Sequence, residues 1–199
     1  MLKVYMLRHG ETTYNADGNR YCGRTDAPLT EKGIQQAEEV ARLLKDIRFD
    51  GIYSSPLNRA FDTARIASGN GQVEKEGRLI EADFGKWEGK TREEFIAEDP
   101  ELWARWCENP GITRAGGTGE TALEVVDRVE DFFSEVKQKN PTGKILVVAH
   151  NGINRFFIAR QLGMGLKHYR RIIQENSSLT VLGIGGKEGF SLMKLNSKG

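Results

Sequence analysis

Three histidines occur in this chain of 199 residues, and two of them stand in the same context. His9 follows the apolar run "KVYMLR" and precedes Gly10, while His150 follows "KILVVA" and precedes Asn151 and Gly152. An imidazole just past a buried strand lies where open α/β sheets bind ligands, outside the carboxyl ends of parallel strands. If the two strands are neighbours, the two rings face each other across one crevice. Arg8 brings a guanidinium to the same point, and a surface salt bridge suits it poorly because it ends a buried strand. The segment "YSSPLNRAFDTA" offers a second guanidinium. It places Ser55 as a helix N-cap, Pro56 as the first helical residue and Arg59 in the first turn. Helix N-termini favour anions. With Asn15 as a neutral donor, these two arginines and two histidines suit a tetrahedral oxyanion such as phosphate.

Several elements must position these groups. "KVYMLR" (3–8) and "KILVVA" (144–149) are continuously apolar, which predicts strands buried on both faces. "FDGIYSS" (49–55), "SLTVLGI" (178–184) and "FSLMKL" (190–195) read as further strands. Between them, "LTEKGIQQAEEVARLLKDI" predicts a helix capped by Thr30, with Ile34, Ala37, Val40, Ala41 and Leu44 on one face. "ETALEVVDRVEDFFSEVKQ" sets Thr121 and Glu124 at capping-box spacing, ahead of a stripe of Val125, Val126, Val129, Phe132, Phe133 and Val136. Strands alternating with helices predict a three-layer α/β/α fold around a mainly parallel sheet. Region 86–120 holds all three tryptophans, Trp87, Trp103 and Trp106. It is too short for a core of its own. It reads as a helical insertion over one end of the sheet, within one domain spanning 1–199, and core packing is expected for at least two of its tryptophans.

Composition excludes other classes. With 38% apolar and 29% charged residues the chain is ordinary globular material rather than disordered. A net charge of +1 with mixed signs argues against a nucleic-acid or membrane surface. The densest basic cluster, "KHYRR" at 167–171, reads as a solvated helix face, and its His168 as a surface residue. Cys22 and Cys107 are too few for a disulfide framework and lack metal-ligand spacing, which suits a reducing cytoplasm. The short apolar start, broken by Lys3, does not read as a signal peptide, and "ILVVA" is too short to cross a bilayer.

Taken together, "LRHGETTYN", "YSSPLNRAFDTA", "LIEADFGKWEG" and "VVAHNG" resemble, in order and spacing, the motifs of the histidine phosphatase superfamily, the phosphoglycerate-mutase-like fold. The resemblance covers about residues 2 to 155. It implies that His9 attacks phosphorus to form a phosphohistidine, with Arg8, Arg59 and His150 holding the phosphoryl oxygens. By the same resemblance Glu81 is the general acid and then the base, in preference to nearby Asp83, and Asn15 is a further phosphate contact. No metal or other cofactor is implied, and no histidine–carboxylate cluster has ligand spacing.

The chain also departs from the family's pattern. After the second histidine the family commonly shows two glycines or glycine–asparagine, whereas here Asn151 precedes Gly152; asparagine tolerates the left-handed conformation such a turn would ask for. Cys22 and Gly23 stand where members often contact substrate, and "GRTDAPLT" resembles the α-ribazole phosphatase-type branch. The expectation is therefore a phosphatase for a small phosphorylated metabolite, such as a sugar phosphate, a phosphoglycerate or α-ribazole phosphate. It would act as monomer or homodimer, with no nucleic-acid or membrane partner. A cofactor-dependent phosphoglycerate mutase is the alternative. Mutases of this fold are usually longer, with a tail closing the site, and the polar "LNSKG" here points to hydrolysis. A non-catalytic phosphate-binding module fits less well, because Arg8, His9, Arg59, Glu81 and His150 are all present.

Overall fold

The two continuously apolar segments become neighbouring central strands. The computed structural model describes residues 1–69 and 71–198, so the last glycine of "LNSKG" lies outside the described residues. Its sheet comprises β1 (Leu2–Arg8), β2 (Gly51–Ser54), β3 (Glu74–Lys75), β4 (Lys144–Ala149), β5 (Leu179–Ile184) and β6 (Phe190–Ser197). The six strands lie in the order β3-β2-β4-β1-β5-β6. β1, β2, β3 and β4 pair in parallel, and β5 runs antiparallel to both of its neighbours. The register sets Arg8 opposite Ala149, so the residues that follow, His9 and His150, emerge side by side.

Helices cover both faces. They are α1 (Thr13–Ala16), α2 (Glu31–Leu44), α3 (Asn58–Ala67), α4 (Arg92–Glu98), α5 (Pro100–Glu108), α6 (Ala122–Lys139) and α7 (Asn151–Gln161). Because successive side chains point to opposite faces, Val4, Met6, Ile145 and Val147 pack with α6 and α7. Tyr5, Leu7, Leu146 and Val148 pack with α2 and α3. Burial on both faces explains why these strands lack polar alternation. The expected stripe of α6 is buried throughout, and Thr121 and Glu124 close the capping box.

Two local expectations are corrected. Ile34 is 40% exposed, and Gly33 takes the inner place beside Ala37, Val40 and Leu44. The cause is that Gly33 lies against the backbone of Glu11, so α2 presses its glycine, not Ile34, onto the loop after β1. The helix carrying Arg59 starts at Asn58 with Leu57 as N-cap, rather than at Pro56 after Ser55. Ser55 Oγ accepts from the Leu57 N–H at 3.3 Å, one step ahead of the helix, and the first helical N–H donates to Asp26 in a distant loop (Asn58 N–Oδ2 2.9 Å). Arg59 still sits in the first turn.

The segment 86–120 forms α4, α5 and short 3-10 turns. Trp87, Phe95 and Trp106 are buried in the same core as α6 and α7, with Trp87 stacked on Phe95 at 4.7 Å. Trp103 is half-buried against them. Among the described residues no helix is long and apolar enough to cross a membrane.

Candidate active site

The loop after β1 is held so closely that glycine is required. A Cβ on Gly10 would collide with the backbone of Gly33, and the Gly10 N–H donates to Thr63 Oγ1 at 3.0 Å. This brings the ring of His9 within reach of its own chain: His9 Nδ1 lies 2.7 Å from the Gly10 carbonyl oxygen. A carbonyl only accepts, so Nδ1 carries the hydrogen and Nε2 keeps a lone pair. His9 and His150 are both buried, with ring centroids 5.2 Å apart. Burial, then the guanidinium groups of Arg59 and Arg8, hold the His9 imidazole well below its usual range. Burial and Arg59 do the same to His150. Both rings are therefore neutral at pH 7. Arg8, pushed down to about 10 by burial, remains charged and donates to the Gln174 carbonyl at 2.9 Å.

Glu81 arrives from the segment before the 86–120 region and caps α7 from outside. Its Oε2 accepts from the Gly152 N–H at 2.9 Å, and its Oε1 from Ile153 at 3.1 Å and Ala82 at 2.8 Å. A carboxylate at a helix N-terminus meets free N–H donors and the positive end of the dipole. Gly152 is needed there, because a Cβ would stand 2.6 Å from Glu81 Oε1. Asp83 is employed elsewhere, accepting from the Gly85 N–H at 2.8 Å. Asn151 is the first residue of α7, and it is not among the residues with positive φ. The left-handed turn allowed for in the sequence does not form, because the helix starts directly after His150.

Arg59 is fully buried, and its guanidinium ties down a loop. Its Nη1 donates to Thr25 O at 2.6 Å, and its Nη2 to the carbonyls of Cys22 and Gly23 at 3.0 and 2.8 Å. Cys22 is thereby set on the site's wall, its thiol donating to Thr25 O and pushed up by burial. Gly23 is buried behind that wall. Asn15 closes the capping box of α1; its Oδ1 accepts from Thr12 N at 3.1 Å and from Asn176 Nδ2 at 3.1 Å. Several buried polar atoms here have no partner among the described residues: Nε of Arg8 and of Arg59, both ring nitrogens of His150, and Asn151 Oδ1. Buried polar groups are otherwise nearly always satisfied. Such a cluster suits a ligand with several oxygens.

A cavity of about 470 Å³ opens over His9, walled by Arg8, Asn15, Cys22, Glu81 and Asn151 among others. Arg59, His150 and Gly23 are not part of its wall. Sequence reasoning missed Arg20, Tyr21, Arg92, Arg155, Tyr169 and Arg170, which also line it. Two of these come from "KHYRR", so the reading of that cluster as a solvated face is corrected: Tyr169 is buried and Arg170 faces the cavity. The aromatic between the basic residues was the available signal. His168 is half-buried and lies outside the cavity wall. Among the described residues no group of three or more His, Cys, Asp or Glu side chains is placed to hold a metal ion.

The sequence profile described as Histidine phosphatase superfamily (branch 1) matches residues 4–198. The chain belongs to this superfamily. This histidine phosphatase is 36% identical over 198 residues to phosphoserine phosphatase 1 of Hydrogenobacter thermophilus, covering 98% of the chain and 92% of that relative. It is 34% identical over 174 residues to the adenosylcobalamin/alpha-ribazole phosphatase of Escherichia coli, covering 85% of each. Among solved structures, a phosphoserine phosphatase mutant from Entamoeba histolytica in complex with phosphoserine superposes with a TM-score of 0.90 at 30% identity. That match covers 99% of this chain and 98% of the other.

Proposed function

We propose that this histidine phosphatase hydrolyses a small phosphomonoester through a phosphohistidine on His9, as one catalytic domain. The carrying observation is the bond from His9 Nδ1 to the Gly10 carbonyl, which leaves Nε2 unprotonated on a neutral ring. Nε2 attacks phosphorus in line and the ester oxygen leaves. Arg8, Arg59 and His150, with Asn15 and Asn151 at the edge, stabilise the charge spread over the equatorial oxygens. Glu81 delivers a proton to the leaving oxygen and then takes one from the water that cleaves the N–P bond. Its wall position and the employment of Asp83 in a local turn support Glu81 in that role.

Guanidinium groups supply the cationic stabilisation, so the scheme needs no metal ion. All the named side chains come from one chain, so a monomer suffices and a homodimer is compatible. The two free cysteines suit a reducing cytoplasm. The relatives named for phosphoserine and α-ribazole phosphate support a small metabolite as substrate. Inorganic phosphate should form in step with the free alcohol from a good substrate, in EDTA and without a bisphosphate primer. Fast interconversion of 2- and 3-phosphoglycerate with negligible phosphate release would establish the mutase instead.

A further inference from the structure

The cavity holds more positive charge than one phosphoryl group needs. Arg20 is paired with Asp17 and Glu94, and Arg92 with Glu93 at 3.5 Å. Arg155 and Arg170 have no carboxylate partner among the described residues. Arg155 Nε donates to the Tyr169 carbonyl at 3.2 Å, and Arg170 Nη1 to the Cys107 sulfur at 3.6 Å, with the neutral Tyr21 hydroxyl also beside the Arg170 guanidinium. Arg170 Nη2 is buried and has no hydrogen-bond partner among the described residues. Both guanidinium groups lie over the Tyr169 ring, at 4.9 and 4.7 Å from its centre, and Arg170 also lies 4.5 Å from that of Trp103. Tyr169 is itself fixed, its ring 4.2 Å from that of Phe156 and its hydroxyl accepting from Trp106 Nε1 at 3.4 Å. Stacked guanidiniums on a rigid aromatic base are preorganised for a planar anion.

We propose that Arg155 and Arg170 form a carboxylate subsite, so that the substrate is a phosphomonoester carrying a carboxylate rather than a neutral alcohol or nucleoside phosphate. The phosphate cradle already has Arg8 and Arg59, and the cavity of about 470 Å³ has room for a metabolite with both groups. A planar carboxylate accepts in-plane N–H bonds from a guanidinium, which a hydroxymethyl group in its place cannot match in charge or geometry. This inference rests on the phosphatase reading, so its test separates binding from turnover.

The test measures dissociation constants on the His9→Ala protein, where substrate is not consumed, for 3-phosphoglycerate against glycerol 3-phosphate and for phosphoserine against phosphoethanolamine. Each pair differs at the carboxylate. Tighter binding of the carboxylate member of both pairs, by about 10–100-fold, is expected, the worth of a charged hydrogen-bonded pair. Adding Arg170→Met, or Arg155→Met, should cut that ratio about tenfold, with Arg170→Lys intermediate because it keeps the charge and loses the fork. Near-equal binding within both pairs would overturn the proposal, and so would a preference that every arginine variant retains. Failure of the wild-type protein to release phosphate from these four, from α-ribazole phosphate and from p-nitrophenyl phosphate alike would overturn the phosphatase reading while leaving the binding ratios to decide the subsite.

Discussion

Two neutral histidines in a buried cationic site should make the fold acid-sensitive in a defined window. His9 and His150 are both held well below their usual range by burial and by neighbouring guanidiniums. In the unfolded chain each titrates near 6.5. Below that value the unfolded state binds protons that the folded state refuses, so stability falls as pH falls and recovers as pH rises. While the folded rings stay neutral, lowering pH from 6.5 to 5.5 costs about 1 kcal/mol per histidine, or about 2 kcal/mol for the pair. With a urea slope of about 2 kcal/mol/M, that moves the midpoint down by about 1 M. The assay is urea unfolding at both pH values in phosphate-free buffer, for the wild type and for His9→Asn/His150→Asn. The double variant should show a shift smaller by about 1 M, and each single variant should recover about half of that. The same midpoint shift in wild type and double variant would refute the reasoning, since other groups would then carry all the pH dependence.

The carboxylate that caps α7 yields two further expectations. Glu81→Gln keeps an oxygen for two of the three N–H donors but turns its amide hydrogens towards the third. It should cost about 1.5–3 kcal/mol in stability and about 10²–10⁴-fold in burst-phase phosphorylation from an alkyl phosphate. On p-nitrophenyl phosphate, whose leaving group needs no proton, the burst should fall far less, and an equal loss on both substrates would remove Glu81 as the acid. Gly152→Ala, which pushes a methyl group into the Glu81 carboxylate, should reproduce that substrate-dependent loss with near-native circular dichroism. Unchanged burst rates would show that Glu81 tolerates displacement.

Much of the cradle was legible because its pieces are local. Continuous apolar runs marked β1 and β4 as doubly buried, and a residue just past such a strand has little choice of position. His9 and His150 could therefore be paired before their register was known. Arg59 is legible for a reason only partly correct: the helix start is right to within two residues and Ser55 does accept the Leu57 N–H, but Asp26, remote in sequence, takes the first helical N–H. Ile34 was misplaced because periodicity cannot foresee that Gly33 is pressed against the Glu11 backbone. The direction in which Arg155 and Arg170 point is hidden for a similar reason, although Tyr169 within "KHYRR" hints at it. What turns them towards the cavity is the Tyr169 ring held by Phe156 and Trp106, a contact among segments far apart in the chain. The loop that braces the nucleophile from behind was missed as well, with Asn176 Nδ2 donating to the His9 carbonyl at 3.2 Å and Ser177 N to that of Arg8 at 3.1 Å.

The central claim is that His9 Nε2 carries the phosphoryl group between substrate and water. Rapid acid quench of the enzyme with a ³²P-labelled phosphomonoester, followed by alkaline stabilisation and peptide mapping, tests it most directly. The account predicts an acid-labile, alkali-stable label on the peptide containing His9, formed at the burst rate and absent from His9→Ala. Turnover with no labelled protein at any quench time, or a label that survives in His9→Ala, would contradict it.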